Sequence, residues 1–223
     1  MGVGQEKAQA ILNILRSLYP QASTRLKFKN NFELLVAAIL SSQTSDRQVN
    51  RVTERLFSRY PDAFALAQAS PQEVEEIIKS LGLYRNKAGY LVAMAKILVE
   101  KYGGQVPDTR EALMELPGVG RKVANVVLAT GFGQDVMAVD THVFRVTTRL
   151  GLVSAKNSKE AEEQLTALLP PGSRREAHHL LIYHGREVCK ARKPECHRCP
   201  LRPYCRYYKE KASGEGPEAR VFN

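Results

Sequence analysis

Apolar positions recur at three- and four-residue spacing through most of the chain, and no stretch alternates convincingly every second residue. The pattern predicts an all-α protein. Ile11, Leu12, Ile14, Leu15 and Leu18 give a first helix one apolar face, and Leu91, Met94, Ala95 and Leu98 do the same further on. Both sets are core positions. The spacing predicts helices over residues 5–18, 31–41, 46–59, 71–81, 85–102, 109–115, 121–130, 141–150, 158–168 and 174–187. Four start signals support them: Ser70-x-x-Glu73 with Pro71 at the first helical position, Asp108-x-x-Glu111, Asn157-x-x-Glu160 and Ser173-x-x-Glu176. Gly82 and Gly103 stand where helices should end, because glycine accepts positive φ cheaply. Lys209 to Asn223 is polar, with Gly214 and Gly216, and reads as a frayed tail.

The chain has 223 residues, enough for one large or two small domains with a sizeable core. Its 43% apolar and 25% charged residues are ordinary for a soluble globular protein. No run approaches a membrane-spanning length, and Met1 to Leu15 shows no basic head followed by an apolar core. The expected compartment is the cytoplasm, where disulfides are disfavoured. A net charge of +10 with pI near 9.5 changes the picture more. It points to a polyanionic partner, most often nucleic acid. Charge alone leaves a merely basic protein open. No long Lys/Arg run occurs, so the charge is spread over folded elements.

All four cysteines fall in one window as Cys189-x6-Cys196-x2-Cys199-x5-Cys205. Thiols placed by packing needs would scatter, so this concentration predicts a metal ion or metal cluster. Zinc sites more often pair cysteines in two short C-x2–4-C units. Only Cys196 and Cys199 form such a unit, which favours a cluster mildly and leaves zinc open. The same window holds Lys190, Arg192, Lys193, His197, Arg198, Arg202 and Arg206. The reading is a structural staple that presents a basic loop to phosphates.

The run Leu116-Pro117-Gly118-Val119-Gly120-Arg121-Lys122 reads as a hairpin between two helices. Pro117 and Gly118 end one helix, and Gly120 allows a tight turn into the next. Amides of Val119, Gly120 and Arg121 left unpaired at a helix start would bind a phosphate and so grip a DNA backbone without reading bases. An ordinary tight turn is the plainer alternative. Lys122 sits in the first turn, where the helix dipole disfavours an ammonium and favours the neutral, nucleophilic amine. A lysine reaching into solvent or onto a phosphate is the alternative. In Ala138-Val139-Asp140-Thr141-His142-Val143-Phe144-Arg145, Asp140 reads as a helix N-cap, and capping would also hold its carboxylate rigid for chemistry. His142 reads as a structural or phosphate-contacting histidine.

LPGVGRK, VDTHVFRV and the cysteine ending, with FELLVAAILSSQTSD (32–46) and LGLYRNKA (81–88), resemble the endonuclease III family. These are bacterial DNA glycosylases and abasic-site lyases of the helix-hairpin-helix superfamily. The resemblance covers about Phe32 to Cys205. It implies two all-α domains with a cleft between them: a six-helix barrel over about 24–134 carrying the hairpin, and a domain of 1–23 with 135–223 carrying a [4Fe–4S] cluster, residues 209–223 being a flexible tail. By motif position it implies Lys122 as nucleophile, Asp140 as catalytic aspartate, and Cys189, Cys196, Cys199 and Cys205 as cluster ligands. Gln43 and Leu83 fall where the family inserts side chains into the duplex; otherwise they would be a loop glutamine and a buried leucine. Further DNA contacts are expected from Gly118, Val119, Gly120, Arg121, His142, Lys193 and Arg198.

The implied activity is removal of oxidised pyrimidines of the thymine glycol type, with β-elimination at abasic sites through a Lys122 Schiff base. The implied partner is damaged double-stranded DNA, met by a monomer in the bacterial cytoplasm, at the nucleoid and without a membrane. A pyrimidine-dimer glycosylase, an adenine glycosylase, a non-enzymatic DNA clamp and a zinc-stapled interaction protein are the competing readings. The adenine branch generally lacks the lysine and carries a further C-terminal domain. Met114 stands where some relatives carry an acidic residue, with Glu115 adjacent.

Overall fold

A computed structural model describes residues 2–213. The expectation of an all-α protein holds, with no strand among the described residues. Among the described residues twelve α-helices follow one another: α1 (Val3–Leu18), α2 (Asn31–Leu40), α3 (Asp46–Arg59), α4 (Ala63–Ala67), α5 (Pro71–Ile78), α6 (Tyr84–Tyr102), α7 (Arg110–Met114), α8 (Arg121–Gly131), α9 (Thr141–Leu150), α10 (Ser158–Leu168), α11 (Arg174–Glu187) and α12 (Arg206–Ala212). Two 3₁₀ turns, Cys196–Arg198 and Arg202–Tyr204, lie between α11 and α12. The chain divides into two compact units, residues 24–134 and residues 1–23 with 135–223.

The first unit is built around α2. Phe32 to Leu40 are all buried, and apart from the capping Glu33 they are apolar, so this helix serves as a core element. It packs against α3, α6 and α8, while α4 and α5 cover α6. Asn30 starts it by accepting from the Glu33 amide at 2.9 Å, and the Glu33 carboxylate reaches back to the Lys29 amide. Ser70, Pro71 and Glu73 form the expected capping box of α5.

In the second unit, Ala8, Ile11, Leu12 and Leu15 of α1 bury against Val143, Val146 and Leu150 of α9, Leu165 of α10 and Leu180 and Leu181 of α11. Two polar contacts fasten the N-terminal helix to this distant part of the chain. Lys7 Nζ donates to Leu150 O at 2.7 Å, satisfying a carbonyl at the C-terminus of α9. Arg16 grips the Glu176 carboxylate, its Nη2 at 2.8 Å.

Several local expectations are corrected. Thr109, not Asp108, caps α7 by accepting from the Ala112 amide. Ser173 does not cap α11 with its side chain; its hydroxyl donates to Pro170 O. Asp135 takes that place, accepting from the Gly172 amide at 2.6 Å, the Arg174 amide at 2.9 Å and Arg174 Nη1 at 2.7 Å. The helix read to 81 ends at Ile78, and the left-handed residue after it is Leu83 rather than Gly82. Gly103 does close α6, at φ +58°. Lys209 to Ala212, read as the start of a tail, are helical in α12, and residues 214–223 lie outside the described residues.

Burial alone would raise the pKa of Asp135, but the Gly172, Arg174 and Arg175 amides and the Arg174 guanidinium outweigh it and hold the carboxyl below its usual value of 3.8. Asp135→Ala should therefore cost about 2 kcal/mol in urea unfolding at neutral pH. The native pKa is depressed, so this contribution is present above the ordinary carboxylate value and is lost as pH falls through the native one. The two proteins should converge in stability in acid.

Candidate functional site

The hairpin of the first unit is set by Gly118, at φ +80°. A Cβ there would lie 3.0 Å from Tyr90 Cβ and 3.2 Å from Ile39 Cγ2, so only glycine fits both the backbone and the space. Val119 is buried, and its amide donates to Leu116 O at 3.1 Å. That corrects the expectation of an unpaired Val119 amide: the turn uses it internally. Gly120 is the N-cap of α8 in extended conformation, with nothing within 4 Å of where a Cβ would stand. Its lack of a side chain serves no turn and leaves the helix start open to approach. Arg121 and Lys122 follow, half-buried in the first turn, before the buried run Val123–Ala129. Glu115 pairs with Lys101 Nζ at 3.2 Å, and its neighbour Met114 is exposed.

Gln43 and Leu83 lie on adjoining loops of the same unit, both at positive φ (+52° and +58°). A Cβ on Gly82 would stand 3.9 Å from Gln43 O. Leu83 is 55% exposed, which excludes the buried-leucine alternative. Leu83 thus presents a large apolar side chain to solvent from a left-handed backbone.

In the second unit Asp140 is the N-cap of α9, its Oδ1 accepting from the Val143 amide at 2.8 Å. His142 is half-buried, with Nδ1 3.1 Å from Arg145 Nη2. Burial lowers its pKa first; Asp140 pulls it up, while Arg145 and Arg186 push it further down. The net effect favours the neutral ring. Arg145 is buried and also donates to Cys189 O at 3.1 Å and Gly185 O at 2.9 Å.

One pocket of this unit is lined by Cys189, Cys196, Cys199 and Cys205 together with Val146, Leu150, His184 and Tyr207. Arg149 Nη1 donates to Cys189 Sγ at 3.4 Å and to Lys190 O at 2.7 Å, and its Nη2 to Ala191 O at 2.9 Å. The guanidinium lies over the Tyr207 ring, 4.8 Å from its centre. Burial pushes the Cys199 thiol up to about 11, and the other three cysteines add to it. Cysteines buried together in this way ionise as a set only against a cationic centre. Four cysteine sulfurs around one pocket are a donor set that an iron–sulfur cluster uses. Arg198 is tied to Glu195 and donates to Glu187 O at 2.8 Å, while Lys193 is exposed at φ +46°.

The model of the HhH-GPD superfamily of base excision DNA repair proteins matches residues 36–171. The chain belongs to this family. The model of the iron–sulfur binding domain of endonuclease III matches residues 189–205, from the first cysteine to the last. Endonuclease III of Rickettsia conorii is 45% identical over 198 residues, 89% of this chain and 94% of that protein. Endonuclease III of Escherichia coli K12 is 43% identical over 209 residues, 94% and 99% of the two chains. A structure of a trapped endonuclease III–DNA covalent intermediate superposes with TM-score 0.90 at 41% identity, covering 95% of this chain and 100% of that one. The protein is thus a base-excision-repair enzyme, a DNA glycosylase and abasic-site lyase, and it carries a [4Fe–4S] cluster. No helix among the described residues is long and apolar enough to cross a membrane.

Sequence reasoning missed Lys87, Asp135, Arg145 and Arg149. Lys87 left a signal. It lies four residues before Leu91 on the stripe that continues through Met94, Ala95 and Leu98, so a lysine occupies the buried face of α6.

Proposed function

We propose that the enzyme removes oxidised pyrimidines of the thymine glycol type from double-stranded DNA and opens the strand by β-elimination through a Schiff base on Lys122. The observation that carries this reading is Lys122 in the first turn of α8, just behind Gly120, whose missing side chain leaves the helix start open. The target base is hidden in the stack, so the nucleotide is first extruded, and damaged pyrimidines cost less to flip. Gln43 and Leu83 fill the gap. The Lys122 amine attacks C1′, forming a C–N bond as the bond to the base breaks, and the base leaves with the electron pair. Asp140, held rigid by its capping bond, stabilises the positive charge that develops on the sugar and assists proton transfer. The attached amine loses a proton, the C1′–O4′ bond opens with a proton delivered to O4′, and the resulting iminium acidifies the 2′ hydrogen; loss of that hydrogen expels the 3′ phosphate and breaks the strand.

DNA is gripped by the hairpin, from Gly118 to Arg121, and by the basic loop with Lys193 and Arg198. The net charge of +10 supports this electrostatically. Cys189, Cys196, Cys199 and Cys205 hold the cluster, which shapes that loop. The enzyme works as a monomer in the cytoplasm, at the nucleoid. Borohydride trapping tests the reading on duplexes containing thymine glycol or an abasic site. Covalent adducts with both are expected. An adduct with the abasic site alone would redirect the search to another damaged base, including ultraviolet photoproducts. No adduct with either would overturn the Schiff-base mechanism.

A further inference from the structure

Lys87 is 3% exposed, a position lysine almost never occupies without dedicated partners. Its Nζ donates to Leu40 O at 3.0 Å, Ser42 O at 2.7 Å and Thr44 Oγ1 at 2.9 Å. These three bonds use all three donors of an ammonium. The acceptors are neutral, so the charge is buried without a compensating carboxylate in this set. Burial accordingly lowers the pKa of Lys87. A leucine or methionine would fill the volume without that cost, so the ammonium must be doing something packing does not require.

All three acceptors belong to the C-terminus of α2 and the turn after it, and Gln43 sits between the second and the third. Leu40 O is among the terminal carbonyls that α2 leaves without an intrahelical donor, a natural site for a cation. Ser42 O and Thr44 Oγ1 flank Gln43 on either side. The residue they bracket holds φ +52°, a conformation a non-glycine side chain keeps only where its surroundings impose it. Lys87 touches the second loop as well. Its backbone amide donates to Leu83 O at 3.0 Å, the first bond of the turn that begins α6. Leu83, at φ +58°, is the other left-handed residue of this surface. One residue thus ties both strained loops together, through its side chain to the Gln43 turn and through its backbone to Leu83.

We infer that Lys87 is the positioning residue of the duplex-inserting pair: its buried ammonium holds the Ser41–Ser45 turn so that Gln43 projects beside Leu83 before DNA arrives. This rests on the reading of Gln43 and Leu83 as the side chains that fill the vacated stack. Holding them ready avoids ordering a loop at the moment of extrusion.

A double-mutant cycle on the cluster-loaded enzyme tests it, with Lys87→Met, Gln43→Ala and the pair. Single-turnover base release from a duplex is measured, along with fluorescence of a base analogue opposite the lesion. Lys87→Met keeps the aliphatic stem and is expected to slow release roughly ten- to a hundredfold and to delay the fluorescence rise. In the Gln43→Ala background the same change should do almost nothing, because the side chain it positions is gone. Full additivity of the two losses would overturn the inference and leave Lys87 with a general structural role. If Gln43→Ala alone is without effect while Lys87→Met slows release, the insertion reading is what fails, and Lys87 acts elsewhere. Should Lys87→Met not fold, Thr44→Val removes a single acceptor at nearly constant volume. It should show a smaller loss that is likewise absent in the Gln43→Ala background, and additivity there would equally refute the inference.

Discussion

Lys122→Gln should lower both strand cleavage and borohydride trapping by a factor on the order of a thousand or more, while damage-specific binding survives. Glutamine is close in length and remains polar, so the first turn of α8 keeps its shape. What disappears is an amine able to share its electron pair with C1′. Without that bond no iminium forms, the 2′ hydrogen is not acidified, and the 3′ phosphate has no route out. In the proposed reading binding rests on different atoms, the glycine turn and the basic loop, and should be retained. Fluorescence anisotropy on an abasic-site duplex, run beside a cleavage assay, separates the two. A mutant that still cleaves at the native rate would move the nucleophile to another residue. A mutant that loses binding in parallel would make Lys122 a DNA contact in place of a nucleophile.

Asp140→Asn should slow base release roughly a hundred- to ten-thousandfold with little change in stability. The stability half of that statement follows from the cap. Asp140 Oδ1 accepts from the Val143 amide at 2.8 Å, and asparagine offers a carbonyl oxygen at the same reach. The two residues are near equals as N-caps. The negative charge is what the substitution removes, and only a carboxylate answers the positive charge developing on the sugar. Thermal unfolding and single-turnover excision, measured together, decide it. Unchanged excision would reduce Asp140 to a cap. Asp140→Ala would lose the cap as well, so asparagine is the cleaner substitution.

Much of this fold was legible along the chain. The helices at 46–59, 141–150, 158–168 and 174–187 run where apolar spacing and boundary residues put them. Ser70 and Asn157 cap as a local pattern says they should, because an N-cap needs only an oxygen three residues before an amide. Other elements gave no such signal. Helix α4 is five residues of alanine, leucine and phenylalanine, too short for a period to show, and its cap Asp62 is the one clue. Helix α12 is basic and carries no buried residue, yet it packs on α9, where Tyr207 lies under Arg149. Asp108 and Thr109 are both good caps one position apart, and which is used depends on where the chain enters the helix.

The remaining candidates divide along the same line. The cysteine window, the glycine turn with its lysine and the aspartate at a helix start are short patterns of residue type and spacing that can be read along the chain; the residues alone left a zinc ion, a plain turn and a plain cap open, and the family resemblance chose between them. Other features depend on residues far apart in the chain. Asp135 caps α11 from well upstream, because folding brings its carboxylate to amides that no local residue satisfies. Leu83, and not Gly82, takes the left-handed conformation, with its carbonyl bonded to the Lys87 amide, and no local residue pattern marks it. The three carbonyl and hydroxyl oxygens around the Lys87 ammonium come from positions 43 to 47 residues away. A buried charge finds its partners only when the chain closes on itself, and its contribution is a property of that closure.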